Sequence, residues 1–585
     1  MGVYQKTIGP LITVPIRRLD PLSVFWIAAL ALLLIPGLDL PIRDWDEGIV
    51  ARVAYERGDA LLQWLSGQAS FSHLWLRTYW DAPYLNKPPG VHLPASLPLL
   101  PLVSAGDLPP AWAVRLVPAL FASAVVPLAG VITRQLKHKQ QGAAIAAAAI
   151  ALTLLPLMRH GRLAMLDGAL VSASGLLWWQ LLRSRQARGQ ELLGCGVLAG
   201  LACSALLLLK APLVIPVLGI GLLLLLLERQ LSPQQWLVLL MGVGLGLLPG
   251  IGWHLFHWLQ RGSDALLLWG GDGASRVLLS SGEGSDLGWR IPLLEVLEGG
   301  WPWLALWPFA VVMAWKQRHL SAGRWPLGLQ LGMAVAVLPL RTQLPWYSHI
   351  LWLPFALLCA PALAQLVESG KPKAVTWLWL LLGLAVLPVA LLKPEFSAVV
   401  LPASGALLAG GWGLRPASHF KVQAAGAMVG LWWLGLLLLF SGPLWHWELN
   451  EQRPVAAAAE LARAADHQLP LALWSQSERP SLSWQSQRRL QPLSNSASAQ
   501  APCNCSAHQR HRSRKWRVSN AASKAPAKMA GRCGCALRIC DGVLPAFKPE
   551  RGAGHLQRKG QPRADARAAQ GAVGAALPAG VGGSR

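Results

Sequence analysis

The stretch Pro88-Pro89-Gly90-Val91-His92-Leu93-Pro94, running on in mostly apolar residues to Ser104, decides how the chain is threaded. It is apolar enough to enter a bilayer, yet its 17 residues hold five prolines. A membrane-spanning helix needs about 20 mostly apolar residues, and each interior proline removes a helix hydrogen bond. The charges elsewhere settle the choice. Basic clusters stand at Arg134/Lys137/Lys139, Arg183/Arg185/Arg188, Lys316/Arg318/Arg324, Lys371/Lys373 and Arg415/Lys421. If 88–104 lies on the membrane surface, every cluster falls on the side of the N-terminus, as the positive-inside rule requires. Counted as a span, it moves all of them to the other side. The surface reading is therefore the expectation, with the N-terminus cytoplasmic.

Outward from that stretch, long apolar runs dominate. Only 14% of the 585 residues are charged and 53% are hydrophobic, against roughly 25% charged in soluble domains. The runs predict an all-α integral membrane protein with spans near 21–40, 111–133, 142–158, 169–182, 191–209, 211–227, 235–257, 301–315, 325–340, 347–366, 374–392, 396–414 and 422–441, about thirteen helices in all. Many of the 30 tryptophans stand near the ends of these runs, where a half-wet ring is favoured. Arg17 and Arg18 precede the first run and no small-residue cleavage site follows it, which predicts an uncleaved first helix. For a bacterium this means a multi-pass protein of the inner (plasma) membrane, with the outer side in the periplasm.

The membrane domain is expected over 1–441. Two large outer loops are expected, at 41–110 and 258–300. The first carries Asp44, Asp46, Glu47, Glu56, Asp59, Asp81 and Lys87; the other carries Asp264, Asp272, Glu283, Asp286, Glu295 and Glu298. Long loops are usually functional, so the chemistry is expected outside. Residues 442–500 form an outer polar segment. Residues 501–585 are a basic Ala-, Arg- and Gly-rich tail, with the composition of a disordered segment or of an altered reading frame. That tail holds 16 of the Lys and Arg residues and 3 of the Asp and Glu residues. The net charge of +24 is thus partly local, and no nucleic-acid partner is expected. Cys195, Cys203 and Cys359 lie in apolar runs and read as core residues. Cys503, Cys505, Cys533, Cys535 and Cys540 lie in the tail, and their Cys-x-Cys spacing departs from the zinc-knuckle pattern.

Five groups of polar residues interrupt the apolar pattern on the expected outer face. Asp46 and Glu47 in Arg43-Asp44-Trp45-Asp46-Glu47-Gly48 can act as a base toward an acceptor hydroxyl or cap a helix. Lys87, in Asn86-Lys87-Pro88-Pro89, suits a lipid phosphate or a snorkelling cation. Asp167, in Arg162-Leu163-Ala164-Met165-Leu166-Asp167, abuts a span, where a carboxylate is costly unless paired or functional; a salt bridge to Arg162 accounts for it equally well. Lys210 precedes Pro212 between two apolar runs, at headgroup depth. Tyr347 and His349, in Arg341-Thr342-Gln343-Leu344-Pro345-Trp346-Tyr347-Ser348-His349, can donate to a phosphate, although an interfacial aromatic belt accounts for Trp346 and Tyr347 equally well. The threading was fixed without these residues, and it sets all five groups on one face.

Their order resembles the GT-C glycosyltransferases of the protein O-mannosyltransferase and lipid A aminoarabinose transferase type, over about residues 20–365. The resemblance rests on Asp-Glu after the first helix, Lys-Pro-Pro before a surface helix, Arg162-x-x-x-x-Asp167 and Lys210-x-Pro212. It extends to Gly252-Trp253-His254 through Arg261-Gly262, to Gly300-Trp301-Pro302-Trp303 and to Pro345-Trp346-Tyr347. It implies a GT-C fold with an outer cavity, a polyprenyl-phosphate-sugar donor, and an acceptor hydroxyl on a lipid, protein or glycan that attacks with inversion. It maps catalytic roles onto Asp46 and Asp167, with Glu47 beside them, and donor-phosphate contacts onto Lys87 and Lys210; Arg162, Tyr347 and His349 join that phosphate set by position. Two departures stand out. Asn86 occupies the place of a family Glu that is a metal-ligand candidate, which leaves a divalent metal open, and Gln343 stands where many relatives have Lys. A transporter or flippase of a lipid-linked sugar, and an O-antigen ligase or polymerase, are the competing readings.

Overall fold

The computed structural model describes residues 19–42, 45–137, 140–269, 290–340, 344–446, 455–465, 472–473, 478–492 and 538–539. Arg17, Arg18, Arg43, Asp44, Lys139, Asp272, Glu283, Asp286, Arg341 to Gln343 and the five tail cysteines lie outside the described residues.

A helix stands at each of the thirteen expected positions. Seven helices among the described residues are long and apolar enough to cross a membrane, or nine if two bent pairs each count as one span. That measure joins neighbouring helices such as Gly189–Lys210 and Val214–Glu228 into one stretch, so it does not give the expected thirteen. The predicted pair 191–209 and 211–227 is two helices, Gly189–Lys210 and Val214–Glu228, joined at the turn Ala211–Leu213, and the ion pair of Glu228 with Arg185 at 3.4 Å shows that the second runs back alongside the first. Pro212 there forces a short 3₁₀ turn, because it lacks the amide hydrogen a continuing α-helix needs. The bent pairs are Gln141–Thr153 with Leu155–Gly161, at 58°, and Arg290–Gly299 with Trp303–Lys316, at 104°. The stretch 88–104 folds as a broken helical segment, His92–Ala105, too short to cross.

Helices Gly189–Lys210 and Pro233–Arg261 pack backbone against backbone. Gly196 and Gly200 on one face Gly242 and Gly246 on the other. A Cβ on Gly242 would stand 2.8 Å from the Cα of Gly196, and one on Gly200 2.8 Å from the Cα of Gly246. Small residues four apart let helix backbones touch where lipid supplies no hydrophobic drive. Ser204 extends the seam, donating to the Gly246 carbonyl at 2.8 Å and accepting from the Gly250 amide at 3.0 Å. Gly246→Leu is expected to prevent this packing, so that solubilised protein aggregates in fluorescence-detected size-exclusion chromatography. A monodisperse variant with an unchanged melting temperature would show the seam to be dispensable.

Glu228 fixes one end of the bundle. Its side chain is buried, accepts from Ser321 at 2.5 Å and from the indole of Trp325 at 3.1 Å, and pairs with Arg185 at 3.4 Å and Arg324 at 3.5 Å. Arg185 directly follows helix Asp167–Ser184, and Asp167 opens it at the far end. Eighteen residues of helix separate these ends by about 27 Å. The basic clusters 183–188 and 316–324 therefore gather opposite the end that carries Asp167 and Lys210.

At that second end, the segment 41–110 is more ordered than a loop. Trp45–Leu65 is a helix of 21 residues with Asp46 and Glu47 in its first turn, where the positive end of the helix dipole favours carboxylates. A hairpin pairs Thr78 with Pro83 and Tyr79 with Ala82 around Trp80 and Asp81, both at positive φ, as a two-residue turn of this hand requires. Glu56 accepts from the Trp80 amide at 2.7 Å, and the Arg52 guanidinium lies 3.8 Å from the Trp80 ring centroid. The polar segment beyond 441 docks on the same helix. A Cβ on Gly48 would clash with Pro480 and Ser481, Tyr55 meets Trp484 edge-on at 5.9 Å, and Gln485 donates to the Ile42 carbonyl at 2.7 Å.

Candidate active site

The second end is held together by a buried ion pair. Glu47 has no solvent exposure. Its Oε1 accepts from Arg115 Nε at 2.7 Å and from the Ala164 amide at 2.8 Å, and its Oε2 accepts from Arg115 Nη2 at 2.8 Å. Arg115 Nη1 donates in turn to the carbonyls of Leu38, at 2.7 Å, and Leu40. One bidentate pair thus ties the exit of the first helix, the start of helix Trp45–Leu65, helix Ala111–Ser123 and the turn before Asp167. This corrects the catalytic role expected for Glu47. Both its oxygens are committed to Arg115 and the Ala164 amide, which leaves neither turned toward an acceptor hydroxyl.

Arg162 is corrected as well. It neither pairs with Asp167 nor reaches the cavity described below. It is fully buried and donates to the carbonyls of Leu32 and Pro36, with its guanidinium 4.6 Å from the Phe440 ring centroid and 4.9 Å from that of Trp445. The chain turns sharply after the first helix, leaving terminal carbonyls without helical partners, and Arg162 satisfies two of them.

The remaining expected residues converge. Asp46 neighbours Glu47 on helix Trp45–Leu65 and is half-buried. The Gly90 amide donates to the Leu208 carbonyl at 2.6 Å, and a Cβ on Gly90 would stand 2.6 Å from that oxygen. Only glycine allows this approach, which seats the Lys87-Pro-Pro-Gly90 turn beside the end of helix Gly189–Lys210. Asp167 lies within electrostatic range of Lys210, Asp46 and Lys87. Two carboxylates and two ammonium groups, from four separate stretches of sequence, therefore share one locality.

A cavity of about 190 Å³ opens there. Asp167, Lys210, Tyr347 and His349 supply its polar groups, and the rest of its wall is largely apolar, including Leu170, Val337 and Ile350. Lys210 Nζ lies 4.1 Å from the centroid of the Tyr347 ring. His349 is 2% exposed, meets the His160 ring edge-on at 4.4 Å, and leaves its Nε2 without a hydrogen-bond partner. An apolar wall with a few polar groups suits a ligand that is mostly hydrocarbon with a charged head.

Three elements of this end are not foreseeable from local sequence pattern. Arg115 was legible only as a lone charge in an apolar run. The contact of His160 with His349, and the docking of 480–486 on helix Trp45–Leu65, leave no periodic signal. Asn86 is exposed, and no group of three or more His, Cys, Asp and Glu residues that could hold a metal ion exists among the described residues. Among the described residues, the side chains at this site do not fit a metal.

The arrangement defines a class of fold. Residues 104–260 match the family model described as dolichyl-phosphate-mannose-protein mannosyltransferase. That stretch includes Asp167 and Lys210. The structure of ArnT from Cupriavidus metallidurans in the apo state superposes with a TM-score of 0.61 at 18% identity, covering 80% of this chain and 85% of that chain. The same protein bound to undecaprenyl phosphate gives a TM-score of 0.60 at 17% identity, with 80% and 85% covered. The oligosaccharyltransferase AglB from Archaeoglobus fulgidus, in complex with an inhibitory peptide and a dolichol-phosphate, gives 0.46 at 11% identity, covering 80% and 63%. No curated protein sequence matches the chain. The protein is a multi-pass membrane protein with a fold like that of ArnT.

Proposed function

We propose that the protein is an inverting glycosyltransferase that moves a sugar from a polyprenyl-phosphate donor to an acceptor hydroxyl on the outer face of the membrane. The observation that carries this reading is the gathering of Asp46 and Asp167 with Lys87 and Lys210 beside a cavity that is largely apolar. The hydrocarbon of the donor lies along the apolar wall, and its phosphate meets the cations. Asp46 takes the proton of the acceptor hydroxyl. The acceptor oxygen forms a bond to the anomeric carbon as the bond from that carbon to the phosphate oxygen breaks. The electron pair leaves with the phosphate, whose growing charge is met by Lys87 and Lys210. Tyr347 and the unpartnered Nε2 of His349 are suited to donate to the same phosphate. Asp167 orients Lys210 and holds the sugar side of the site. A single displacement inverts the anomeric configuration.

The outer face is supported by charge. The clusters at Arg183/Arg185/Arg188 and Lys316/Arg318/Arg324 lie at the end opposite this site, and basic residues favour the cytoplasmic side. The N-terminus is then cytoplasmic.

Two measurements test this reading. The product formed from an undecaprenyl-phosphate sugar of known anomeric configuration should show the opposite configuration by NMR; retention would rule out single displacement. Lys210→Gln should weaken binding of undecaprenyl phosphate about tenfold, since a charge-assisted contact is lost. Unchanged binding would remove Lys210 from the phosphate site.

A further inference from the structure

Apart from the residues that line the cavity, three arginines meet, and among the described residues no carboxylate answers them. Arg77, just before the 78–83 hairpin, is 4% exposed, and its Nε, Nη1 and Nη2 all lack hydrogen-bond partners. Arg57, on helix Trp45–Leu65, is 5% exposed and its Nη1 is unpartnered. Arg261 closes helix Pro233–Arg261, and its Nε is unpartnered too. The charged and titratable groups acting on Arg77 are Tyr84, Arg57 and Arg261.

Aromatic rings hold the guanidiniums by their faces. Arg77 lies 5.2 Å from the Tyr84 ring centroid and 5.3 Å from that of Trp253, and Arg57 lies 5.2 Å from that of Trp75. Stacking of this kind leaves the N–H edges available. The indole N–H groups of Trp75 and Trp253 are unpartnered as well. The locality is rich in buried donors, and a buried cation without an anion is costly. Burial pushes Arg77 down to about 9 and Arg57 down to about 10, and Arg57 and Arg261 push Arg77 further in the same direction. Burial first, then Arg77, lowers His92 to about 3, so that no charge arises there at neutral pH.

We propose that Arg57, Arg77 and Arg261 form a second oxyanion site, for a phosphate group, distinct from the Lys87 and Lys210 pair. Guanidinium forks match the oxygens of a phosphate, and a dianion answers more of the gathered charge than a single carboxylate would. The site does not depend on the glycosyltransferase reading. The phosphate can belong to a lipid headgroup entering between the helix end at Arg261 and the 45–85 region, or come free from solution.

The test titrates inorganic phosphate into the full chain carrying Lys210→Gln, in uncharged detergent, by calorimetry and melting temperature. Phosphate should bind and raise the melting temperature. Arg77→Gln should weaken this binding about tenfold, and Arg261→Gln severalfold. If Arg77→Gln does not fold, Arg57→Gln and Arg261→Gln carry the comparison. A second arm sets nanodiscs of phosphatidylglycerol against nanodiscs of phosphatidylcholine. A headgroup source predicts that phosphatidylglycerol stabilises the protein and displaces phosphate, with both effects lost in the arginine variants. A free-phosphate source predicts equal phosphate binding in both bilayers. Binding of phosphate and lipid that is unchanged in every folded arginine variant would overturn the site.

Discussion

Asp46→Asn, assayed with a reconstituted donor lipid, is expected to cut turnover by at least about 100-fold, the usual range for loss of a general base, while donor binding stays within a factor of about two. The amide matches the carboxylate in size and keeps the helix start intact, but it cannot take a proton from a hydroxyl. Asp167→Asn should also slow turnover. It should act more on donor binding, because Lys210 and Lys87 then meet one acid fewer. The contrast separates a base from a positioning residue. Equal turnover in wild type and Asp46→Asn would remove Asp46 from the reaction, and equal losses of binding in both variants would place both residues on the donor side.

The largest effect on stability is expected at the other half of the Asp-Glu pair. Glu47→Ala leaves Arg115 buried without its counter-ion, and breaking such a pair costs about 3–5 kcal/mol. That is a large part of the stability of an ordinary domain, so poor folded yield is the expected result. The double variant Glu47→Leu with Arg115→Met should recover much of the loss, because it removes both charges and refills the space. Melting temperatures in one detergent decide the matter. A Glu47→Ala variant that melts like wild type but is inactive would return Glu47 to a chemical role.

Adjacent acids with opposite fates show what can be read in the chain and what cannot. Asp46 and Glu47 are equivalent in a sequence window. Only the arrival of Arg115, 68 residues on, distinguishes them, and no local pattern reports that distance. Arg162 stands close to Asp167 in sequence and reads either as a phosphate contact or as that acid's partner, whereas the carbonyls it serves lie more than 120 residues earlier. The apolar helices were legible because apolar length alone predicts them. Helix Trp45–Leu65 was not. Its Arg52, Glu56, Arg57 and Asp59 read as a solvated loop, and its packing partners include residues of 480–486 and Arg115. Lys87, Lys210, Asp167, Tyr347 and His349 each break an apolar context, and the bundle brings four of them, Asp167, Lys210, Tyr347 and His349, to one cavity. The Arg57, Arg77 and Arg261 cluster gave no signal, since an arginine outside a span looks ordinary until its burial is known.

The central claim is that bond cleavage takes place at this site. The most direct measurement follows a polyprenyl-phosphate sugar labelled in the sugar, in proteoliposomes, and reads the release of polyprenyl phosphate by wild type and by Asp46→Asn across several hexose and pentose donors. The account predicts release by wild type with at least one donor and little or none by Asp46→Asn. Movement of intact labelled lipid between leaflets without release from any donor would contradict it and make the protein a lipid-sugar transporter.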